Sequence, residues 1–190
     1  ECCEGIERQG LPVLLTLRLK IEGGRWDLPD PERMPFLSDA IRSLSMIDVE
    51  YRSTLATPLC TKANKLGKTV VVSFHDFEGT PPIEELQDIV EGIRELPAAV
   101  PKIVTMVKSP DDINTLTELL DANRQQPICV LGMGEAGQET RTAFPAMGSC
   151  LTYGFIDASS APGQMTADAL VDALLESVPA YAEQRRQRAE

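Results

Sequence analysis

Lys102 is the residue whose type and surroundings point most directly to covalent chemistry. It lies in Val100-Pro-Lys-Ile-Val-Thr-Met106, where an ionisable amine interrupts an otherwise apolar run. Burial of a lysine on a strand removes hydration and favours the neutral, nucleophilic amine. Spacing alone favours a simpler interpretation, in which the amine extends from the start of a strand to solvent. Lys102 is therefore a candidate nucleophile, and position by itself does not decide the matter.

His75 is the only histidine, and it ends the apolar run Val70–His75. An imidazole titrates near neutral pH and suits a general acid and base, although an isolated histidine more often has a structural hydrogen bond. Glu50 ends the preceding apolar run, and consecutive strands would be neighbours in a barrel. We therefore expect Glu50 to orient His75 and to keep it protonated. The alternative is that Glu50 forms a structural ion pair with Arg52 or Arg18.

Arg18 and Arg141 are candidates for binding an anion. A guanidinium matches a carboxylate with two parallel hydrogen bonds, although an arginine in a generic position is usually a solvated surface residue. The segment Ser160-Ala-Pro-Gly-Gln164 follows the last apolar run. Its small residues and rigid proline suit either a loop that folds over a ligand or a simple turn into a helix.

Three glycines suggest a different function. Gly132, Gly134 and Gly137 have the spacing Gly-x-Gly-x-x-Gly after an apolar run, and Asp157 closes the next such run. This arrangement is typical of dinucleotide binding, with the carboxylate placed for a ribose hydroxyl. Only 33 of the 190 residues follow Asp157, too few for the remaining strands of a dinucleotide-binding fold. We therefore rank this interpretation below the others.

Apolar, β-branched segments alternate with amphipathic ones, and these elements must position the candidate residues. A period of about 25–30 residues is typical of parallel α/β architecture. A doubly wound open sheet and a (β/α)8 TIM barrel both fit, and polar residues at strand carboxyl ends favour the barrel. The six predicted strands are Leu11–Arg18, Met46–Arg52, Thr69–Phe77, Lys102–Val107, Pro127–Met133 and Leu151–Ile156. The predicted helices are Pro35–Leu44, Thr54–Leu66, Ile83–Leu96, Ser109–Asn123 and Thr166–Ala182, followed by a fraying tail at Glu183–Glu190.

Composition restricts the classes of function. A chain of 190 residues, 43% of them hydrophobic, can bury one core, so a single domain is expected. A net charge of −11 argues against binding nucleic acid or an anionic membrane surface. Five irregularly spaced cysteines predict reduced thiols in a cytoplasmic protein, and a single histidine excludes a His-rich zinc site.

Taken together, these segments resemble the type I 3-dehydroquinate dehydratases, from about Pro12 to about Asp172. The order and spacing of several motifs carry the resemblance, since each alone could arise by chance. The most specific are Ser73-Phe-His-Asp-Phe77, Pro101-Lys-Ile-Val-Thr-Met106 and Ala158-Ser-Ser-Ala-Pro-Gly-Gln164. Weaker matches are Leu15-Thr-Leu-Arg18 with Glu22-Gly-Gly24, Ile47-Asp-Val-Glu50, and Met133 through Arg141.

The resemblance implies a (β/α)8 barrel that converts 3-dehydroquinate to 3-dehydroshikimate in the shikimate pathway of aromatic amino acid biosynthesis, with no metal or cofactor. It implies that Lys102 forms a Schiff base with the C3 ketone, which eases loss of the C2 proton. His75 would be the acid and base that serves imine formation and departure of the C1 hydroxyl, and Glu50 the carboxylate that tunes it. The substrate-binding residues implied are Arg18, Arg141, Ser160, Gln164 and Met133, the last as an apolar wall. A homodimer is common in this family.

The strand count departs from the family pattern, because the family has eight strands and six are predicted here. The resemblance implies that the missing pair is N-terminal, with Glu1–Gly10 as the end of a helix. Six strands cannot close this barrel and would leave two unpaired edges. We expect one partial-barrel domain across the chain, weakly active or inactive until upstream strands or a second chain complete it.

Three other functions stay open on the sequence. A Schiff-base aldolase would use the same lysine but split a carbon–carbon bond. A non-catalytic barrel domain would bind a shikimate-like acid without forming an imine. Dinucleotide binding would follow from the glycine triplet.

Overall fold

In a computed structural model, residues 2–159 and 161–189 are described, and they form an α/β fold. The strands run in chain order through one sheet, β1-β2-β3-β4-β5, and the predicted α/β class is confirmed. Within the described ranges the strands are β1 (Leu14–Thr16), β2 (Met46–Glu50), β3 (Thr69–Asp76), β4 (Ala99–Met106) and β5 (Cys129–Met133). The α-helices there are α1 (Cys2–Glu7), α2 (Met34–Ser43), α3 (Ala56–Lys65), α4 (Ile83–Arg94), α5 (Pro110–Asn123), α6 (Thr140–Met147), α7 (Ala167–Ser177) and α8 (Pro179–Ala189).

Two compact units divide the chain. The first comprises Glu1–His75 and Gln87–Lys102, and the second comprises Asp76–Leu86 and Ile103–Glu190. That the chain is a single domain stays a prediction.

In the first unit, β2 lies in parallel between β1 and β3, with Asp48 opposite Thr16 and Glu50 opposite Ser73. Successive strand residues point to opposite faces, so the apolar pair Ile47 and Val49 lies on one face of β2, and Asp48 and Glu50 lie on the other. Helix α2 packs against β2 and α3. The helices thus cover an apolar face while two buried carboxylates occupy its reverse.

In the second unit, α5 and α6 pack against β5, and α7 packs against α6 and α8. Helix α5 begins as predicted, with Ser109 and Asp112 forming a reciprocal capping box ahead of Pro110. Around β5 an apolar cluster contains Val104, Cys129, Leu131 and Met133. A smaller cluster on α7 contains Leu170, Leu174 and Val178.

The predicted sixth strand, Leu151–Ile156, is wrong: the segment is irregular. Side chains bind its carbonyls. The Leu151 carbonyl accepts a hydrogen bond from Cys129 Sγ at 3.3 Å. The Tyr153 carbonyl accepts one from Arg141 Nη1 at 3.2 Å. Side-chain bonds of this kind occupy carbonyls that a strand ladder would need, and the described chain has five strands where six were expected.

Three boundaries also differ from the prediction. Lys102 does not begin its strand; β4 starts at Ala99, so the lysine is the fourth of its residues. The predicted helix Thr166–Ala182 is two helices, and the second begins at Pro179, whose ring cannot continue a helix from the preceding turn. Residues 183–189 of the tail that was expected to fray belong to α8, and Glu190 lies outside the described residues. Helix α6 was not predicted at all.

At the other end of the chain, Glu1–Gly10 was predicted to be the end of a helix, and α1 occupies Cys2–Glu7. The Glu7 carboxylate accepts hydrogen bonds from Val13 N at 2.8 Å and Ser45 N at 2.6 Å, which ties α1 to the starts of β1 and β2. The need for further strands to complete a barrel stays a prediction. Among the described residues, no helix is both long and apolar enough to cross a membrane.

Candidate active site

Lys102 is buried in the middle of β4, with 7% of its surface exposed. Its Nζ donates a hydrogen bond to Asp48 Oδ2 at 2.9 Å. The amine therefore faces a buried carboxylate of the same unit and does not extend to solvent from a strand end. This places a primary amine where water has little access, as Schiff-base chemistry needs.

Asp48 connects the cations of the site. Arg18 Nη2 lies 2.7 Å from Asp48 Oδ1, and Ser73 Oγ donates to the same oxygen at 2.7 Å. Burial opposes ionisation, but the Lys102 ammonium and the Arg18 guanidinium hold the pKa of the Asp48 carboxyl well below its usual range. Asp48 is thus an ionised carboxylate between two cations.

His75, in β3, is paired with a carboxylate that was not predicted. Its Nδ1 lies 3.0 Å from Glu22 Oε2. Burial, with the nearby Arg18 and Lys102 cations, lowers the pKa of His75 to about 2, against the opposing effect of Asp48. This shift favours the neutral imidazole, contrary to the expectation that it is kept protonated. A neutral imidazole is ready to accept a proton.

Glu22 reaches His75 because the chain turns tightly after β1. A short 3-10 turn, Lys20–Glu22, ends at Gly23, whose φ of 79° lies in the left-handed region. At Gly24 a Cβ atom would stand 2.0 Å from the Arg18 carbonyl oxygen, so the turn can close on itself only without a side chain there. Glu22 is buried at the end of this turn.

The environment of Glu22 favours its neutral form. Burial raises the pKa of Glu22 to about 7, with Arg18 opposing the rise and Glu50 adding to it. Near neutral pH, then, Glu22 and His75 share a hydrogen bond across which a proton can be held on the carboxyl. Such an environment suits a group that must exchange protons with a substrate.

Glu50, the carboxylate predicted to orient His75, has other partners. Its Oε1 accepts a hydrogen bond from Leu19 N at 2.7 Å, and its Oε2 accepts one from Arg33 Nη1 at 2.8 Å. Arg18 Nη1 lies 3.3 Å from Oε1. The structural bridge to Arg18, which the sequence left as the alternative, matches these contacts. A role for Glu50 beside His75 stays a prediction.

Arg18 lies just beyond β1. Besides Asp48 it binds Ser73 Oγ, at 2.6 Å. Burial lowers the pKa of Arg18, but Asp48 and Glu50 outweigh it and raise the pKa above its usual value. With 12% of its side chain exposed, this firmly charged guanidinium can also meet a substrate oxygen.

The other predicted binding residues belong to the second unit. Arg141, at the start of α6, is buried, with Nε 3.0 Å from the Gly163 carbonyl and Nη1 3.2 Å from that of Tyr153. Burial lowers its pKa. These bonds connect α6 to the loop before α7.

Gln164 follows in that loop, and its Oε1 accepts a hydrogen bond from Ala161 N at 3.3 Å. Met133 ends β5 within the apolar cluster. Ser160 lies outside the described residues.

The glycine triplet serves close packing of the β5–α6 connection. A Cβ at Gly137 would stand 2.6 Å from Gly132 C, and one at Gly132 would stand 2.7 Å from Val107 Cγ2. Gly132 N is bound to Thr140 Oγ1 at 2.8 Å. A side chain could not be accommodated at either position, which accounts for the spacing without a phosphate.

Sequence reasoning missed Glu22, Asp48 and Ser73 as members of the site. A signal was present for each: Glu22 precedes a Gly-Gly pair, Asp48 interrupts an apolar strand, and Ser73 opens the histidine motif. A carboxylate inside an apolar run is rare unless it is paired, so Asp48 could have been found. Among residues 2–159 and 161–189, no group of three or more His, Cys, Asp or Glu side chains could hold a metal ion.

Comparison with known proteins gives one consistent family. The family model described as Type I 3-dehydroquinase matches residues 4–177. The 3-dehydroquinate dehydratase of Methanocella arvoryzae is 34% identical over 165 residues, which cover 87% of this chain and 74% of the relative. That of Methanosarcina barkeri is 37% identical over 168 residues, with 84% and 69% covered.

Solved structures agree with this result. The 3-dehydroquinate dehydratase of Aquifex aeolicus superposes with a TM-score of 0.80 at 28% identity, covering 92% of this chain and 78% of its own. A type I enzyme of Clostridium difficile with covalently modified comenic acid gives 0.77 at 28% identity, with 87% and 68% covered.

Proposed function

The chain belongs to the type I 3-dehydroquinase family, and on that premise we propose that it dehydrates 3-dehydroquinate to 3-dehydroshikimate through a Schiff base on Lys102. One observation carries the assignment of the nucleophile. The Lys102 amine is buried in mid-strand, 2.9 Å from Asp48, in the unit that also holds the His75–Glu22 pair.

The amine of Lys102 first attacks the C3 ketone of the substrate. It must lose a proton to do so, and the resulting carbinolamine loses water to form an iminium ion. The iminium withdraws electrons, which eases removal of the C2 proton, and the C1 hydroxyl then leaves as water. Hydrolysis of the imine consumes one water and frees the lysine, so the net reaction releases one water.

His75 is the acid and base for these transfers. Its lowered pKa leaves the imidazole neutral but makes it a weaker base, so it takes the C2 proton only after the iminium has acidified that C–H bond. The conjugate acid then readily returns the proton to the departing hydroxyl. Glu22 fixes the ring through Nδ1, which keeps the orientation and the tautomer defined.

Asp48 and Arg18 support the charges that develop. A buried, ionised Asp48 lies where it compensates an iminium on Lys102, and Arg18 is placed for a substrate hydroxyl or carboxylate oxygen. Binding of the substrate carboxylate by Arg141, Ser160 and Gln164, with Met133 as an apolar wall, is part of the proposal and follows from the family resemblance.

Reduction with borohydride in the presence of 3-dehydroquinate tests the proposal. Protein treated in this way should carry an adduct that peptide mapping assigns to Lys102. Lys102→Met should give no adduct and lose turnover by at least about a thousandfold, because the nucleophile is gone. Lys65→Met, at an exposed lysine of α3, is the matched control and should behave as the wild type. An adduct on another lysine, or undiminished turnover in Lys102→Met, would refute the proposal.

We also propose a cytoplasmic homodimer. None of the five described cysteines is in a disulfide, which agrees with a reducing compartment. A net charge of −11 disfavours nucleic acid as a partner. Light scattering coupled to gel filtration measures the oligomeric state, and a monomer at micromolar concentration would contradict the dimer.

A further inference from the structure

Arg33 has a fully buried guanidinium, with 0% of its surface exposed, and it belongs to none of the predicted sets. Its Nη1 donates to the Leu17 carbonyl at 2.5 Å and to Glu50 Oε2 at 2.8 Å. Its Nε and Nη2 bind Asp30 Oδ1 at 3.0 and 2.5 Å, and Nη2 lies 3.3 Å from Ser53 Oγ. A buried charge with this many partners is well satisfied, yet an apolar residue of similar volume would often be equally stabilising.

The partners of Arg33 are arranged around a residue of the active site. Arg33 holds the carbonyl of Leu17, and Glu50 holds the N–H of Leu19 at 2.7 Å. These two peptide groups lie on either side of Arg18. We call this arrangement the Arg33–Glu50 clamp.

The clamp also lies at the start of the turn that carries Glu22. The 3-10 turn Lys20–Glu22 begins directly after Leu19, and Glu22 Oε2 lies 3.0 Å from His75 Nδ1. If Leu19 moved, the turn and its carboxyl would move with it. The clamp therefore influences the position of two side chains of the site. One is Arg18, which lies beside Asp48, and the other is Glu22, which lies beside His75.

We propose that Arg33 is a positioning residue for the reaction, which acts through Glu50 by holding the backbone on both sides of Arg18. It thereby sets Arg18 against Asp48 and Glu22 against His75. The inference rests on the proposed function, because it concerns the same reaction at the same site.

Turnover of Arg33 variants is the first test. Arg33→Met removes the charge and keeps the bulk, so kcat should fall at least about tenfold while KM changes less than about threefold, because positioning of reacting groups is lost more than binding. Arg33→Lys offers one ammonium where four groups must be held, so its kcat should lie between those of the wild type and Arg33→Met. Arg42→Met, at an exposed arginine of α2, is the matched control and should retain wild-type values.

The pH profile of kcat/KM is the second test, because a purely structural role would not move it. Loosening the turn admits water to His75, which weakens the burial that lowers its pKa. The acid limb of Arg33→Met should then shift to higher pH by about one unit or more, since below that pKa the imidazole is protonated and cannot act as a base. The charged and titratable groups around the His75–Glu22 pair are Arg18, Asp48, Glu50, Arg52 and Lys102.

The results of these tests distinguish failure of the proposed function from failure of the positioning role of Arg33. If the wild type neither dehydrates 3-dehydroquinate nor forms the borohydride adduct on Lys102, the proposed function is wrong, whatever Arg33 does. If the wild type is active and Arg33→Met matches Arg42→Met in kcat and pH profile, the positioning role is overturned. A kcat loss that follows the unfolded fraction, with an unmoved profile, also overturns it.

If Arg33→Met does not fold, Arg33→Lys and Glu50→Gln provide the same measurements, and wild-type behaviour in both overturns the role. In the double variant with Glu50→Gln, the Arg33 effect should be smaller than in the wild type, because both residues act through one clamp.

Discussion

Replacing Glu22 by glutamine should make stability less dependent on pH. Glutamine keeps the shape and the hydrogen bond to His75 Nδ1 but cannot ionise. In the folded protein, burial raises the pKa of Glu22 from 4.5 to about 7. The folded state therefore binds a proton that the unfolded state has released between these two values, and ionised Glu22 opposes folding.

The expected size follows from that shift. A raised carboxyl pKa contributes stability that is fully present below pH 4.5 and is lost as pH rises through 7. At about 1.4 kcal/mol per pH unit the loss would approach about 3 kcal/mol. Glu22 is buried but still reached by water, with 8% of its side chain exposed, and solvent screening reduces the loss to about 2 kcal/mol. Glutamine does not ionise and avoids this loss. The free energy of unfolding of Glu22→Gln, relative to that of the wild type, should therefore rise by that amount between pH 4.5 and pH 8.

Denaturant unfolding at several pH values from 4.5 to 8 measures the difference directly. The substitution itself can change the free energy of unfolding by the same amount at every pH. The prediction concerns only how the difference between variant and wild type changes with pH. Glu32→Gln, at an exposed acid nearby, is the control, and its difference from the wild type should stay flat. A flat or oppositely sloped difference for Glu22→Gln would show that Glu22 is an ordinary ionised carboxylate and refute the argument.

Two further substitutions follow from contacts in the structure. Asp48→Asn leaves the buried Lys102 without its counter-charge and should lower the free energy of unfolding by about 3–5 kcal/mol at neutral pH. Because the pKa of Asp48 is depressed in the folded state, this stability difference between variant and wild type should shrink as pH falls below 3.8. Gly137→Ala would bring a Cβ within 2.6 Å of the Met133 carbonyl oxygen and should destabilise by about 1–3 kcal/mol.

Matched controls accompany both. Asp39→Asn alters a carboxylate that is 79% exposed, and Gly79→Ala adds a methyl group where nothing lies within 4 Å. Both should unfold close to the wild type. Equal effects in variant and control would contradict the roles given to Asp48 and Gly137.

Lys102 and His75 could be proposed from the sequence because their residue types are informative where they occur. Neither an amine in an apolar run nor a lone imidazole is decisive alone, but the motifs around both resemble one family. The alternation of elements likewise predicted the parallel α/β class, and all five observed strands overlap predicted ones. Local pattern suffices for these features because strand and helix periodicity is a property of short segments.

Choosing the carboxylate for His75 required the folded chain. Glu22 and Glu50 are both acidic residues near the ends of apolar runs, and adjacency of strands favoured Glu50. The turn at Gly23 and Gly24 brings the Glu22 carboxyl to His75 Nδ1, while the Glu50 carboxylate accepts hydrogen bonds from Leu19 N and Arg33 Nη1. Side-chain partners 31 or 53 residues apart depend on how a turn closes.

The same reason explains the missing sixth strand and the unforeseen Arg33. Leu151–Ile156 has the composition of a strand, but side chains of Cys129 and Arg141, distant in sequence, bind its carbonyls. The sequence by itself singled out Lys102 and His75 as candidates for the chemistry and located the segments that form the five described strands. The tertiary structure decided which carboxyl accompanies the imidazole and what holds the arginines, because hydrogen-bond partners depend on distances that no local pattern contains.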